Sequence, residues 1–274
     1  MYQLQNIDDT KILDFEKNGY VILPQVLPAE FIERLISAGD YWVNSNHQEM
    51  RKNSDYHISD GFRNCLSLDD SFLELIAIPK VLPYIIKLLG YDIKLLTSHL
   101  IYKKPAIKTS ETPKCNPGWH RDFYHAQNSL GDKLIPRLDI KAAFCLTDLP
   151  KPKSGGTLIA PKSHLLKERL KINDNGFPDH FIEPQLKAGD CLLFENRTWH
   201  AGAVNLSSQI RKVVMLGYTY IWIKASDYLI QPDSILQKAD ELYGDVGLQL
   251  LDGLPKPTNF DLEYNSAPLK RLVC

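Results

Sequence analysis

His120-Arg121-Asp122 is a His-x-Asp triplet, His200 lies far downstream of it, and Arg211 follows His200 by eleven residues. Two imidazoles and one carboxylate on one face of an Fe(II) ion leave the opposite face open for a co-substrate and O2, as a non-haem iron oxygenase requires. In an extended segment, side chains at i and i+2 point the same way. His120 and Asp122 can therefore hold one ion while Arg121 turns away. His200 must arrive from a distant strand. Arg211 would supply a planar fork for the far carboxylate of a 2-oxo acid. Lys104 or Lys141 would be the next candidates for that anchor.

The flanking sequence is ordered around these groups. Phe15 to Leu23 reads as a helix end running into a strand, and Pro117 to Phe123 surrounds the first histidine. Ser154-Gly155-Gly156-Thr157 and Pro161-Lys162-Ser163-His164 lie between the two histidines. Leu186 to Phe194 is a Gly-Asp turn leading into an apolar strand before His200, and Asn205 and the run Arg211 to Leu216 come after it. From about residue 11 to about 222 this series resembles the phytanoyl-CoA dioxygenase (PhyH-like) family of Fe(II)/2-oxoglutarate-dependent oxygenases. The resemblance implies that His120, Asp122 and His200 bind the metal and that Arg211 binds the 5-carboxylate of 2-oxoglutarate. It implies Fe(II), 2-oxoglutarate and O2 as the reaction's requirements. The product would be a hydroxylated C–H position, with succinate and CO2 released. By position on the preceding strand, Tyr102 and Lys104 would reach the co-substrate or substrate. Halogenating relatives carry Gly or Ala where this chain has Asp122, so halogenation is disfavoured. Gly202 departs from the pattern, standing where a Ser often contacts the co-substrate.

Aromatic residues bracket the ligands. Phe123 or Tyr124 is expected on the substrate wall, and Trp119 in the core, since aromatics also dominate barrel interiors. His47, His57, His99, His164 and His180 read as ordinary core or loop histidines, with His164 ordering its own turn. Lys103, Lys104, Lys108 and Lys114 form a basic stretch best read as solvated. The partner is then a small molecule. A secondary metabolite, in natural-product biosynthesis, is the first expectation. A free amino acid, an acyl-CoA, or a barrel that binds without turnover are the alternatives.

A formal net charge of −1 gives no footprint for nucleic acid or an anionic membrane. The five cysteines are scattered without a Cys-x-x-Cys pair, which fits a reducing compartment. No apolar run approaches the roughly 20 residues of a membrane span, and Met1 to Thr10 has no signal-peptide core. A cytoplasmic enzyme is expected, and nothing in the sequence sets its oligomeric state.

Hydrophobic periodicity supplies the frame. Asp8-Asp9-Thr10 caps a short helix that stops at Gly19, and Pro28 opens a second with Phe31, Ile32, Leu35 and Ile36 on one face. Two more helices fill 69–78 and 79–89. Strands follow at 93–104, 141–146, 156–160, 191–194 and 212–223, and a late helix at 233–243. Helices first and strands afterwards argue for a single α+β domain over 1–274. Its architecture is a double-stranded β-helix, jelly-roll or cupin-like, with N-terminal buttressing helices. The helical part covers about 1–90, the barrel about 91–223 and a C-terminal extension about 224–274. The variable segments 44–60, 103–117, 125–137 and 229–274 would form the lid.

Overall fold

The computed structural model describes residues 5–45, 60–106, 117–131, 135–254 and 268–272; most of the expected lid segments 44–60 and 103–117, with His47 and His57, lie outside them. α1 (Asp9–Asn18) is capped by the Asp8 carboxylate, which accepts from Thr10 N at 2.9 Å, and ends at Gly19 with φ 80°. A Cβ at Gly19 would also lie 2.4 Å from Thr198 Oγ1 and 2.6 Å from His164 Nδ1, so glycine is required there twice over. β1 (Tyr20–Leu23) follows, then α2 (Ala29–Asn44), which buries Phe31, Ile32, Leu35 and Val43. β2 (Asp60–Arg63) precedes α3 (Asp70–Leu73) and α4 (Leu82–Leu89), which closes on Gly90. The remaining elements are β3 (Ile93–Lys103), α5 (Tyr124–Leu130), β4 (Asp139–Cys145), β5 (Thr157–Ile159), β6 (Cys191–Glu195), β7 (His200–Gly202), β8 (Arg211–Tyr220), α6 (Asp233–Tyr243) and α7 (Asp245–Leu250).

Six strands form one antiparallel sheet in the order β1-β6-β4-β8-β3-β2, and β5 pairs with β7 in a second, smaller sheet. The large sheet is apolar on both faces. On one, Leu100, Phe144, Leu193, Val214, Leu216 and Tyr218 pack against the helices, with Phe15, Leu35, Phe72 and Ile85 among them. On the other, Ala143, Cys145, Leu192, Phe194 and Val213 join Ile159 and Leu186 to fill the space between the sheets. Among the described residues no helix is long and apolar enough to cross a membrane.

Three features depart from the expected layout. Both edges of the large sheet come from the N-terminal part, because β1 pairs with β6 and β2 with β3. That part is therefore woven into the barrel as well as buttressing it. The expected lid segment 125–137 contains most of α5. Finally, β3 carries a bulge: Leu95 faces Tyr218 and Thr97 faces Gly217, leaving Leu96 as an extra residue. Leu95, Leu100 and Tyr102 consequently share the helix side, while Thr97 and His99 turn toward the second sheet.

Candidate active site

His120 and His200 exchange both backbone hydrogen bonds, His120 N to His200 O at 3.0 Å and His200 N to His120 O at 2.9 Å. This two-residue antiparallel bridge sets the imidazoles side by side, with ring centroids 4.3 Å apart. Asp122 is tied to the same framework by its N–H, which donates to Asn196 O at 3.1 Å. Asn196 is fully buried and holds the chain on both sides of it. Its Oδ1 accepts from Leu138 N at 2.9 Å, and its Nδ2 donates to Pro136 O at 3.2 Å. Each imidazole turns Nδ1 to a backbone carbonyl, His120 to Gly118 O at 2.8 Å and His200 to Thr198 O at 2.9 Å. A carbonyl accepts only, so Nδ1 carries the proton and Nε2 keeps its lone pair for a ligand role.

The donor atoms of His120, Asp122 and His200 all lie within 4.8 Å of one another. His200 Nε2 stands 3.9 Å from Asp122 Oδ1. Burial lowers the His200 pKa to about 4, outweighing the attraction of Asp122, so at neutral pH the ring is the neutral base a metal needs. For Asp122, burial works against ionisation, but Lys141, His200 and His120 together outweigh it and the net shift is downward.

Lys141 sits behind this carboxylate. Its Nζ is 3.6 Å from Asp122 Oδ2 and bonded directly to Asp139, which is fully buried. Burial pushes Asp139 up to about 6 despite the ammonium beside it, whereas the two carboxylates raise Lys141. One cation is thus shared by two anions. Gly217 makes room for it: a Cβ there would lie 2.8 Å from Thr97 Cγ2, 2.9 Å from Lys141 Nζ and 3.2 Å from Asp139 Oδ1.

A cavity of about 210 Å³ opens on the three candidate ligands and is walled by Arg63, Thr97, His99, Lys141, Arg211 and Met215. Arg211 is buried, its Nε has no hydrogen-bond partner, and it forms no ion pair among the described residues. Burial pulls its pKa down, with only Cys145 and Glu183 acting against that from a distance. An unpaired buried guanidinium in a cavity is a place for an anion. The Gly202 departure has a counterpart here, since a Cβ would come within 3.3 Å of Lys103 Nζ, which fills the space a Ser side chain would enter.

The structure brings His120, Asp122, His200 and Arg211 to one cavity and leaves other expected residues outside it. Tyr102 and Lys104 require correction. Tyr102 is on the helix side of β3, 2% exposed, with its hydroxyl 3.5 Å from Ile36 O and Lys212 Nζ over its ring. Lys104 is exposed past the strand end. The alternation grouped these residues correctly, but the bulge directs the opposite set, Thr97 and His99, to the cavity. Trp119 packs edge-on against Phe181 at 5.8 Å and beside Leu158, Ala201 and Ala203, away from the cavity wall. Phe123 is half-buried in the left-handed region, φ 61°, and does not line the cavity; the Tyr124 side chain falls outside the described residues. Arg63, Thr97, Asp139 and Lys103 were missed as site residues, and His99 was read as ordinary. In the sequence Lys141 reads only as a fallback anchor. A lysine inside the otherwise apolar strand Ile140 to Cys145 was the available signal.

Residues 15–213 match the model of the phytanoyl-CoA dioxygenase (PhyH) family. No curated protein sequence matches the chain significantly. Among solved structures, the non-haem α-ketoglutarate-dependent epimerase SnoN from nogalamycin biosynthesis is 21% identical with a TM-score of 0.59, over 77% of this chain and 80% of that one. The carbocyclase SnoK from the same biosynthesis is 18% identical with a TM-score of 0.56, over 78% and 85%. HygX from Streptomyces hygroscopicus, with nickel, 2-oxoglutarate and hygromycin B bound, is 14% identical with a TM-score of 0.61, over 81% and 90%. At such identities the likeness is one of fold, and it agrees with the double-stranded β-helix expected from the sequence.

Proposed function

The chain belongs to the phytanoyl-CoA dioxygenase (PhyH) family, and from that premise we propose that it is an Fe(II)/2-oxoglutarate-dependent oxygenase. It hydroxylates an unactivated C–H position of a small molecule in natural-product biosynthesis. His120, Asp122 and His200 hold the iron, and Arg211 holds the 5-carboxylate of 2-oxoglutarate. The observation that carries this reading is the convergence of three donor atoms beside one buried arginine, unpaired among the described residues, in a single cavity. Two neutral imidazoles and a carboxylate suit Fe(II), and a guanidinium fork suits a carboxylate.

When bound, the metal and its 2-oxo acid supply O2 activation, with the acid oxidised to succinate and CO2. The chain's own part is positioning. The Gly118 and Thr198 carbonyls fix the ring planes of His120 and His200, and Asn196 holds the backbone of Asp122. Lys141 Nζ, 3.6 Å from Asp122 Oδ2, helps keep that carboxylate ionised beside His200, whose Nε2 is 3.9 Å from Oδ1. Met215 lines the cavity and the Phe194 ring lies 4.7 Å from that of His200, apolar surface that limits water beside these groups. The structural neighbours SnoN and SnoK are a non-haem α-ketoglutarate-dependent epimerase and carbocyclase from nogalamycin biosynthesis; for this chain hydroxylation is the reading we put forward, with Asp122 present as third ligand. Anaerobic addition of Fe(II) and 2-oxoglutarate to the purified protein should give a weak visible charge-transfer band, and O2 should then release succinate. Absence of the band with stoichiometric iron bound would exclude a 2-oxo acid enzyme and leave a metal-binding barrel.

A further inference from the structure

Arg63 lies on the cavity wall at a place that neither the metal nor the co-substrate needs. It pairs with His99 across β2 and β3, and its Nη1 donates to Thr97 Oγ1 at 3.3 Å. Thr97 faces Gly217 on β8, whereas Arg211 faces Lys103, six residues along the same pair of strands. At ~3.4 Å per residue those two positions are roughly 20 Å apart along the backbone. The Asp122, Lys141 and Asp139 cluster is at the Gly217 end, because Lys141 is the residue opposite Gly217 in β4. A 2-oxo acid anchored on Arg211 therefore approaches the metal ligands from one end, and Arg63 stands toward the other.

Among the described residues the donors of Arg63 are largely open. Its nearest anion, Asp227, is 4.0 Å away and uses its other oxygen on Thr97 Oγ1 at 2.5 Å, Ser98 N at 2.8 Å and Asn64 N at 3.4 Å. Asp227 holds β3 at the bulge and steadies the guanidinium by charge without taking its hydrogen bonds. Nε and Nη2 of Arg63 have no protein partner among the described residues. The side chain is 40% exposed, which places it at the cavity mouth, where an incoming molecule passes.

We infer that the primary substrate carries a carboxylate and that Arg63, held in place through Thr97, is the group that binds it; this rests on the oxygenase reading above. A fork with one open edge matches a carboxylate in two parallel hydrogen bonds. A phosphate would call for a second cation, and Lys141, the other cation lining this end of the cavity among the described residues, is already engaged by Asp139 and Asp122. The bound end of the substrate is thereby fixed relative to the iron, and the oxidised carbon is selected by its distance from the acid group.

The test uses the full chain loaded anaerobically with Fe(II) and 2-oxoglutarate. Its visible band is titrated with aromatic, aliphatic and N-acylamino carboxylic acids, each paired with its primary amide. Acids should perturb the band at concentrations about ten- to a hundred-fold below their amides, as expected for a charge-assisted hydrogen-bonded pair. Arg63→Gln should abolish that preference while leaving 2-oxoglutarate affinity within about two-fold, and Arg63→Lys should restore part of it. Should Arg63→Gln not fold, Arg63→Lys alone must still weaken the acid preference. The inference is overturned if no acid outperforms its amide, or if the preference survives in the Arg63 variants. Loss of 2-oxoglutarate binding in Arg63→Gln would overturn it too, by moving Arg63 to the co-substrate. A protein that binds iron but never forms the band overturns the oxygenase reading itself, a result distinct from all of these.

Discussion

Replacing Arg211 by Met should make the metal-free protein more stable and the loaded protein less able to hold its co-substrate. Arg211 is 8% exposed, has no ion pair among the described residues, and leaves its Nε without a partner. Its nearest ionised group of opposite charge, Glu183, is hydrogen-bonded to the backbone N–H groups of Lys153 and Gly156. The guanidinium thus bears most of its desolvation uncompensated. Replacing buried ionic groups by apolar ones of similar volume stabilises by up to about 1–4 kcal/mol. At about 2 °C per kcal/mol for a chain of this size, the apo melting temperature should rise by about 2–8 °C. Binding should move the other way. Removing one partner of a desolvated charge pair costs about 2–5 kcal/mol, or roughly 30- to 5,000-fold in affinity. Differential scanning fluorimetry with and without 2-oxoglutarate, under Mn(II) or anaerobic Fe(II), reads both effects in one experiment. The wild type should gain melting temperature on adding 2-oxoglutarate and Arg211→Met should not. A lower apo melting temperature in the variant, with 2-oxoglutarate affinity unchanged, would refute the reasoning and make Arg211 an ordinary structural residue.

Further outcomes follow from the same geometry. His120→Ala, Asp122→Ala and His200→Ala should each lose stable Fe(II) binding with the far-ultraviolet spectrum unchanged; a variant that keeps stoichiometric iron removes its residue from the ligand set. Gly217→Ala brings a Cβ to 2.8 Å from Thr97 Cγ2 and 2.9 Å from Lys141 Nζ. Overpacking of this kind should destabilise by about 1–3 kcal/mol, and an unchanged urea midpoint would mean that the wall yields freely. The apo protein should lose stability as pH falls from about 6.5 to about 4. His200, lowered to about 4, and His99, lowered to about 3, are neutral in the fold where the unfolded chain, with histidines near 6.5, takes up protons. Asp139, raised to about 6, has the opposite sign, because the fold then holds a proton the unfolded chain has released. Two histidines against one carboxylate leave a net loss in acid, so a melting temperature that rises on acidification would show Asp139 dominating.

The candidate ligands were legible because the chemistry needs particular residue types at short, fixed spacing. His120 and Asp122 share a side through simple alternation, and Arg211 announces itself as a charge opening an apolar strand. Helix ends were legible for a similar reason: Asp8, Gly19, Pro28 and Gly90 each act locally. What escaped depends on pairing between distant strands. Leu96 looks like any other residue of an alternating strand, and only its partner β8 shows that it is extra. That single insertion sent Tyr102 to the helices and His99 to the cavity. Lys141 and Asp139 escaped because their meaning lies in Asp122, which arrives from another segment. β7 has three residues, too few to carry a period, and is defined by β5.

The weaving of β1 into the far edge of the sheet sets a schedule for synthesis. β1 ends at Leu23 and its partner β6 does not begin until Cys191. At roughly 5–20 residues per second, the ribosome needs on the order of ten to thirty seconds to deliver it. Throughout that interval Tyr20 to Leu23 is an unpaired apolar strand next to an already formable helix, α1. Pairing so distant in sequence is slow even once the chain is complete, since a long loop must close before any contact rewards it. Closure of the barrel, and with it assembly of His200 beside His120, is therefore a late event.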